Sequence, residues 1–289
     1  MANAIEIRQA RYVYGEGTVF RIAAIDGVDI DIEAGKVTGI IGHTGSGKST
    51  LIQMMNGLIK PTEGTVRVED TDIFENKKTL HEIRFKVGLV FQYPEYQLFE
   101  DTVYKDIAYG PKNMKLDDAE IDKRVREAAE TVGLDEALFE RSPFELSGGQ
   151  KRRVAIAGII AMKPDILVLD EPASGLDPVG REEIFGGLVR YRESGGKTVV
   201  IVSHSMEDMA RYADNIIVMS HAKCLMSDTK EEIFKRADEL AASGLKVPQI
   251  TSLANDLRKA GVPLPEGIYT VDDAFDSLLP LLRKKEERT

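Results

Sequence analysis

Gly42-His43-Thr44-Gly45-Ser46-Gly47-Lys48-Ser49 follows the apolar run Val37 to Ile41 and precedes Thr50-Leu51-Ile52-Gln53-Met54-Met55, a stretch of helix-like composition. The order is strand, glycine loop, helix. A phosphate-binding loop needs glycines so that successive backbone N–H groups can turn inward to phosphate oxygens. It also needs a helix N-terminus whose dipole favours anions, a lysine for the β- and γ-phosphates, and a hydroxyl for magnesium. All are present, which makes Gly42, Thr44, Gly45, Ser46, Gly47, Lys48, Ser49 and Thr50 the candidate nucleotide-binding residues. At ordinary residue frequencies the bare pattern would arise by chance in about one chain in a hundred of this length, and the flanking strand and helix remove most of that risk.

Size and charge narrow the function classes. The 289 residues suit one large α/β domain or one domain with an appendage. Lys and Arg number 38 against 48 Asp and Glu, a formal charge of -10, which is the wrong sign for a general nucleic-acid binder. The single Cys224 cannot form an internal disulfide, and Met1-Ala2-Asn3-Ala4-Ile5-Glu6-Ile7-Arg8 lacks the basic start and apolar core of a signal peptide, so a cytoplasmic location is expected. The longest apolar stretch, Val154 to Met162, is far short of the roughly 20 residues that cross a bilayer. Any action on a membrane would go through partners.

Short aliphatic runs recur at Val37 to Ile41, Val87 to Phe91, Ile166 to Leu169, Thr198 to Val202 and Ile216 to Met219. Continuous apolar runs suit parallel strands covered on both faces. Helix-like stretches such as Asp117 to Val132 and Arg181 to Glu193 lie between them, so the chain reads as α/β with a parallel sheet and ligands at the carboxyl ends of its strands. Ile5 to Tyr14 and Ile25 to Ile32 alternate more strictly around Tyr14-Gly15-Glu16-Gly17, which predicts an antiparallel β segment.

The run Ile166-Leu167-Val168-Leu169-Asp170-Glu171 ends an apolar strand in two acids. Asp170 can reach a magnesium ion or its water, while Glu171, one residue on, can face an attacking water. Alone, the pair would read more readily as a helix N-cap. Beside a phosphate loop it points to nucleotide hydrolysis.

Further motifs carry a family resemblance. Leu146-Ser147-Gly148-Gly149-Gln150, followed by Lys151-Arg152-Arg153-Val154-Ala155-Ile156-Ala157, resembles the signature sequence of ATP-binding cassette proteins. Gln92 resembles the Q-loop glutamine, Ser174-Gly175-Leu176-Asp177 the D-loop, His204 the switch histidine, and Tyr14 the aromatic residue on which adenine stacks. The resemblance spans roughly residues 4 to 225 and implies a RecA-like P-loop nucleotide-binding domain with an antiparallel β subdomain and a helical signature subdomain at about 95–162.

Ser147, Gly148 and Gly149 at a helix start make a second phosphate-binding device, with Gln150 completing the motif. In the family, one subunit's signature closes over the nucleotide on another's phosphate loop, so a dimer of cassettes is expected. The implied reaction is in-line attack of water on the γ-phosphate of ATP. Ser49, Gln92 and Asp170 would attend Mg2+, Glu171 would act as general base, and His204 would contact the γ-phosphate.

Chain organisation then separates the cassette classes. Ser49 to Asp170 has no room for a long coiled coil, only one phosphate loop occurs, and no membrane span is fused. A separate ATPase subunit of a transporter remains, with a soluble cassette acting as a mechanical switch on another macromolecule as the alternative. Phe91-Gln92-Tyr93-Pro94-Glu95-Tyr96-Gln97-Leu98-Phe99-Glu100 and Tyr109-Gly110-Pro111-Lys112-Asn113 resemble the second ATPase subunit of energy-coupling factor importers of vitamins and transition-metal ions. That resemblance implies a different ATPase as partner, a small transmembrane coupling subunit, an exchangeable substrate-binding membrane subunit, and a place on the cytoplasmic face of the membrane. Tyr93, Tyr96, Leu98 and Phe99 are expected anchors for a coupling helix, with Leu98 and Phe99 the most buried. The cassette is expected to span 1–228. Residues 229–289, with an apolar face of Phe275, Leu278, Leu279, Leu281 and Leu282 and a charged tail Arg283 to Arg288, read as a small helical appendage; the resemblance implies that it helps pair the ATPases, and it could equally pack only on its own cassette with the tail a solvated end.

Overall fold

The computed structural model describes residues 2–286; residues 287–289, the end of the charged tail, lie outside it. Strands β1 (Asn3–Tyr14) and β2 (Ile22–Glu33) form an antiparallel hairpin, and β3 (Val37–Gly42) runs into helix α1 (Lys48–Met55). Then come β4 (Glu63–Val68), β5 (Thr71–Asp72), α2 (Lys77–Lys86) and β6 (Val87–Val90). Helices α3 (Val103–Asn113), α4 (Asp118–Thr131) and α5 (Gly148–Ile160) form a helical layer. The alternation resumes with β7 (Ile166–Asp170), α6 (Pro178–Glu193), β8 (Thr198–Val202), α7 (Met206–Tyr212), β9 (Asn215–Ser220) and β10 (Lys223–Thr229). The chain ends in α8 (Lys230–Lys235), α9 (Ala237–Ala242), α10 (Gln249–Lys259) and α11 (Val271–Glu286).

Two sheets result. The antiparallel one has the order β2-β1-β4-β5, and the six-stranded one the order β10-β9-β3-β8-β7-β6, parallel except for β10 at its edge. Every residue of β3, β6, β7 and β8 is buried, as continuous apolar runs require. Alternate side chains feed opposite cores. Leu167, Leu169, Val199 and Ile201 join Val103, Ile107, Val154 and Phe185 under the helices. Ile166, Val168, Val200 and Val202 face α1 and the antiparallel sheet. Helix α1 is therefore held between two sheets, with Leu51, Ile52, Met54 and Met55 fully buried. Truncating one such side chain to alanine costs about 2–5 kcal/mol, so the phosphate loop rests on a stiff base.

Past Thr229 the chain does two things. Ile233, Phe234, Leu240, Leu245 and Val247 fill the helical-side core of the cassette, whereas Ala254, Leu264, Ile268 and Ala274 make a small core of their own. Leu278 and Leu281 pack on that small core, and Phe275 and Leu282 of the expected apolar face stay exposed. One expectation is corrected near residue 99. Phe99 is 57% exposed and Leu98 half-buried, because the segment after Gln92 runs as a short 3-10 turn (Pro94–Gln97) across the surface and buries Pro94 instead.

Candidate nucleotide site

The loop after β3 is shaped by glycines that have no room for a side chain. At Gly47, φ is 103° and a Cβ would come within 2.2 Å of the Ala24 carbonyl oxygen, while at Gly42 it would lie 2.3 Å from the Met219 carbonyl oxygen. The Lys48 ammonium donates to the carbonyl oxygens of Gly42 at 2.7 Å and His43 at 3.0 Å, which holds it inside the loop. Burial pushes its pKa down, and the charges of Glu171 and Asp170 oppose that shift. Ser46 Oγ is buried with no hydrogen-bond partner among the described residues, an orphaned donor in a loop otherwise built to present donors.

Parallel pairing delivers the remaining groups to the same edge. Asp170 ends β7 opposite Val202, which ends β8, and the amide of Glu171 donates to the Val202 carbonyl at 3.0 Å. Ser49 Oγ donates to Asp170 Oδ2 at 3.1 Å. Burial raises the pKa of Asp170, and burial plus the neighbouring Asp170 charge raise that of Glu171 to about 7. Glu171 has φ 51°, a left-handed conformation rare outside glycine, and its Oε1 is buried without a hydrogen bond. The Nε2 of His204 stands 3.4 Å from that oxygen. The pKa of His204 is lowered, first by burial and then by the charge of Lys48. Neither acid caps a helix.

Tyr14 ends β1 opposite Ile22, 42% exposed, and its hydroxyl lies 3.3 Å from Thr50 Oγ1 in the first turn of α1. An aromatic face is thus tied to the phosphate loop. Gln92 leaves β6 beside β7 and is exposed. The glycine-rich stretch forms the start of α5. Ser147 and Gln150 form a reciprocal capping box at 3.3 and 3.0 Å, and a Cβ on Gly148 would meet nothing within 4 Å. Ser147 and Gly148 are exposed, with Gly149 and Gln150 half-buried. Asp177 caps α6 through the Gly180 amide at 2.7 Å.

Sequence reasoning missed the groups that join these loops. The Arg152 guanidinium, 3% exposed, pairs with both oxygens of Glu95 at 2.9 and 3.1 Å and also donates to the Ser174 carbonyl. One side chain thereby ties the helix of the Ser147 motif to the segment after Gln92 and to the loop before Asp177. Arg181 and Asp208 form a second such pair. Asp106 accepts the amides of Phe99 and Glu100 at 3.3 and 3.2 Å. The only sequence signal was an arginine or acid inside a helix-like stretch, and such residues are usually solvated.

Buried acids at strand ends, a lysine in a glycine loop and a hydroxyl on one of the acids are what nucleotide hydrolysis needs, and the arrangement is that of an ATP-binding cassette ATPase. The family model described as ABC transporter matches residues 25–174. An energy-coupling factor transporter ATP-binding protein of Caldanaerobacter subterraneus subsp. tengcongensis is 51% identical over 279 residues, covering 96% of this chain and 98% of that one. Its counterpart in Clostridium tetani is 49% identical over 283 residues, 98% of each. Among solved structures, cbiO1 of Clostridium perfringens, described as part of the ABC transporter complex cbiONQ, superposes with a TM-score of 0.75 at 37% identity, over 88% of this chain and 100% of that chain. The cassette MJ0796, seen as a dimer bound to ADP and Pi, gives 0.71 at 31% identity, over 78% and 98%.

The chain belongs to the family of energy-coupling factor transporter ATP-binding proteins, and it is an ATPase. The alternative of a switch unconnected with transport is set aside, because relatives that match almost end to end are transporter subunits.

Proposed function

We propose that this chain hydrolyses ATP at a site completed by a second cassette and thereby drives uptake of a vitamin or transition-metal ion through membrane partners. The observation that carries the reading is the meeting of Lys48, Ser49, Asp170, Glu171 and His204 at one sheet edge in a chain about half identical to transporter ATPases. Lys48 and the loop amides hold the β- and γ-phosphates, and Tyr14 stacks on the adenine. Glu171 takes a proton from water as its oxygen bonds to the γ-phosphorus. The bond to the bridging oxygen breaks, and ADP leaves with that electron pair. His204 donates to the γ-phosphate. Water at this edge is restricted by the same burial that raises the pKa of Glu171.

The donor set fits Mg2+. Ser49 and Asp170 present oxygens already 3.1 Å apart, burial raises the pKa of both acids despite the charge of Lys48, and a hard cation prefers such ligands. Ser49, Asp170 and Gln92 would hold it, and it would neutralise charge on the phosphates. Ser147, Gly148, Gly149 and Gln150 face outward to act on the partner's ATP, with Asp177 at the same junction.

For coupling to the membrane we propose the groove of about 580 Å³ lined by Phe85, Leu98, Phe99, Tyr109, Val154 and Met162. Phe99 stacks edge-on against Tyr109 at 4.9 Å, so the exposed ring is preformed as an anchor for an apolar helix. No helix among the described residues is long and apolar enough to cross a membrane, so the spanning parts would belong to partners. Residues 229–289 are proposed as an appendage to the cassette that helps pair it with a different ATPase. Truncation before residue 268, followed by sedimentation with that partner, tests the pairing role, and unchanged association would overturn it.

The test of the whole reading is affinity purification of the tagged chain from detergent-solubilised host membranes. Recovery of a second cassette ATPase, a small polytopic protein and exchangeable substrate-binding membrane proteins is expected. Recovery from the soluble fraction alone would overturn the coupling to import.

A further inference from the structure

Two loops that meet at the ATP site each start a helix, and one ion pair joins the starts. Asp177 caps α6, and Arg181 follows in its first turn. On the other side, Ser203 Oγ accepts the Ser205 amide at 3.1 Å, Ser205 Oγ accepts the Asp208 amide at 3.1 Å, and α7 begins two residues after His204. Arg181 Nε lies 2.9 and 3.1 Å from the two Asp208 oxygens, and its Nη2 lies 2.5 Å from Oδ2. Asp208 is 7% exposed, so its carboxylate depends on that guanidinium, while Arg181 is nearer the surface.

We propose that Arg181 and Asp208 are positioning residues for ATP hydrolysis, locking the switch segment that carries His204 to the helix that carries Asp177. Helix α7 is only 7 residues long, and a short helix tied at its first turn turns as a unit with the strap before it. His204 is 54% exposed and stands 3.4 Å from Glu171, within reach of small shifts of α7. A forked guanidinium on both carboxylate oxygens fixes orientation as well as distance, which a single point charge does not. The same helix is also held through Glu207, which accepts the Gln249 amide at the start of α10 at 3.3 Å. The pair thus sets the angle at which the histidine is presented.

The inference rests on the roles assigned above to Glu171 and His204, and the experiment separates the two. Steady-state ATPase would be measured on the full-length chain in the assembly with which it co-purifies, for Arg181→Gln, Arg181→Lys, Asp208→Asn and the double variant Arg181→Gln/Asp208→Asn, with Glu171→Gln alongside. The expected result is a fall in kcat of about tenfold for Arg181→Gln and Asp208→Asn with KM for ATP changed less than about twofold, the signature of an interaction used in the transition state. The double variant should be no slower than either single one, and Arg181→Lys should recover only part of the rate because it restores charge without the fork. Rates within twofold of wild type, additive losses, or losses matched by the fraction of unfolded chain in a urea titration would each overturn the positioning role. A wild-type rate in Glu171→Gln would instead overturn the assignment of the base.

Discussion

The Ser49 hydroxyl donates to the Asp170 carboxylate at 3.1 Å, although the two lie 121 residues apart. One belongs to the phosphate loop helix and the other to the end of β7, and parallel pairing through β8 brings them together. Both are proposed to hold the same cation. Ser49→Ala should therefore raise the magnesium concentration for half-maximal ATPase at least tenfold, about 1.4 kcal/mol of lost binding. Titrating activity with Mg2+ at fixed ATP checks this, and an unchanged midpoint would remove Ser49 from the ligand set.

Glu171→Gln keeps the shape of the site and removes the base. It should bind ATP with near-normal affinity and turn it over about a hundredfold or more slowly, read by nucleotide binding and single-turnover hydrolysis.

The same variant makes a stability prediction in nucleotide-free, magnesium-free protein. The Glu171 pKa is raised to about 7 in the fold, above the ordinary value of 4.5, so the native state binds more protons than the unfolded chain between those pH values. Stability falls as pH rises through that window and levels off above it. Allowing for solvent screening, Glu171→Gln should gain about 1–2 kcal/mol over wild type at pH 8, a few degrees in Tm, and nothing at pH 4. A Tm difference that does not grow between pH 5 and 8 would contradict the buried-acid account.

Tyr14 is anchored to Thr50 by its hydroxyl and offers a ring face to the base of the nucleotide. Tyr14→Phe should leave KM for ATP within about twofold, whereas Tyr14→Ala should raise it roughly five- to tenfold with kcat little changed, in line with a stacking contact worth about 1 kcal/mol. Equal KM values for the two variants would show that the ring is only packed.

Arg152 is nearly fully buried against Glu95, so Arg152→Ala would leave that carboxylate, itself 16% exposed, without its partner. Loss of about 3 kcal/mol is expected, against about 1 kcal/mol or less for an exposed pair such as Lys78–Glu82, and urea midpoints for the two variants compare them directly. Near-equal losses would mean that Arg152 is solvated in solution.

Phe99→Ser tests the groove. It removes the exposed ring stacked on Tyr109 without touching the nucleotide site, so basal ATPase should hold while co-purification with membrane partners falls by about tenfold. Retained co-purification would move the docking surface elsewhere.

The chemistry was readable where it is local. Lys48, Ser49, Asp170 and Glu171 sit in short stretches whose neighbours already announce strand, turn or helix, whereas the capping of α6 by Asp177, which lies ahead of the helix-like stretch read from Arg181, came from the structure. The burial of Phe99 was misjudged because a Leu-Phe pair between Gln97 and Glu100 reads the same whether it fills a core or lines a groove. The pairs Arg152–Glu95, 57 residues apart, and Arg181–Asp208, 27 apart, left no trace in the pattern of either stretch.

Residue order alone determined that this chain has a phosphate loop between a buried strand and a helix, acids at the end of another strand, and a second glycine pair at a helix start. Glycine freedom, apolar periodicity and capping act over a few neighbouring residues, and so they are written in consecutive letters. Only the tertiary structure decided that β3 lies between β8 and β9, and that Asp170 meets Ser49 while Glu171 meets His204. Those outcomes depend on which strands pair and in what register, and that is settled by burying both faces of one sheet at once, a condition no short stretch can express.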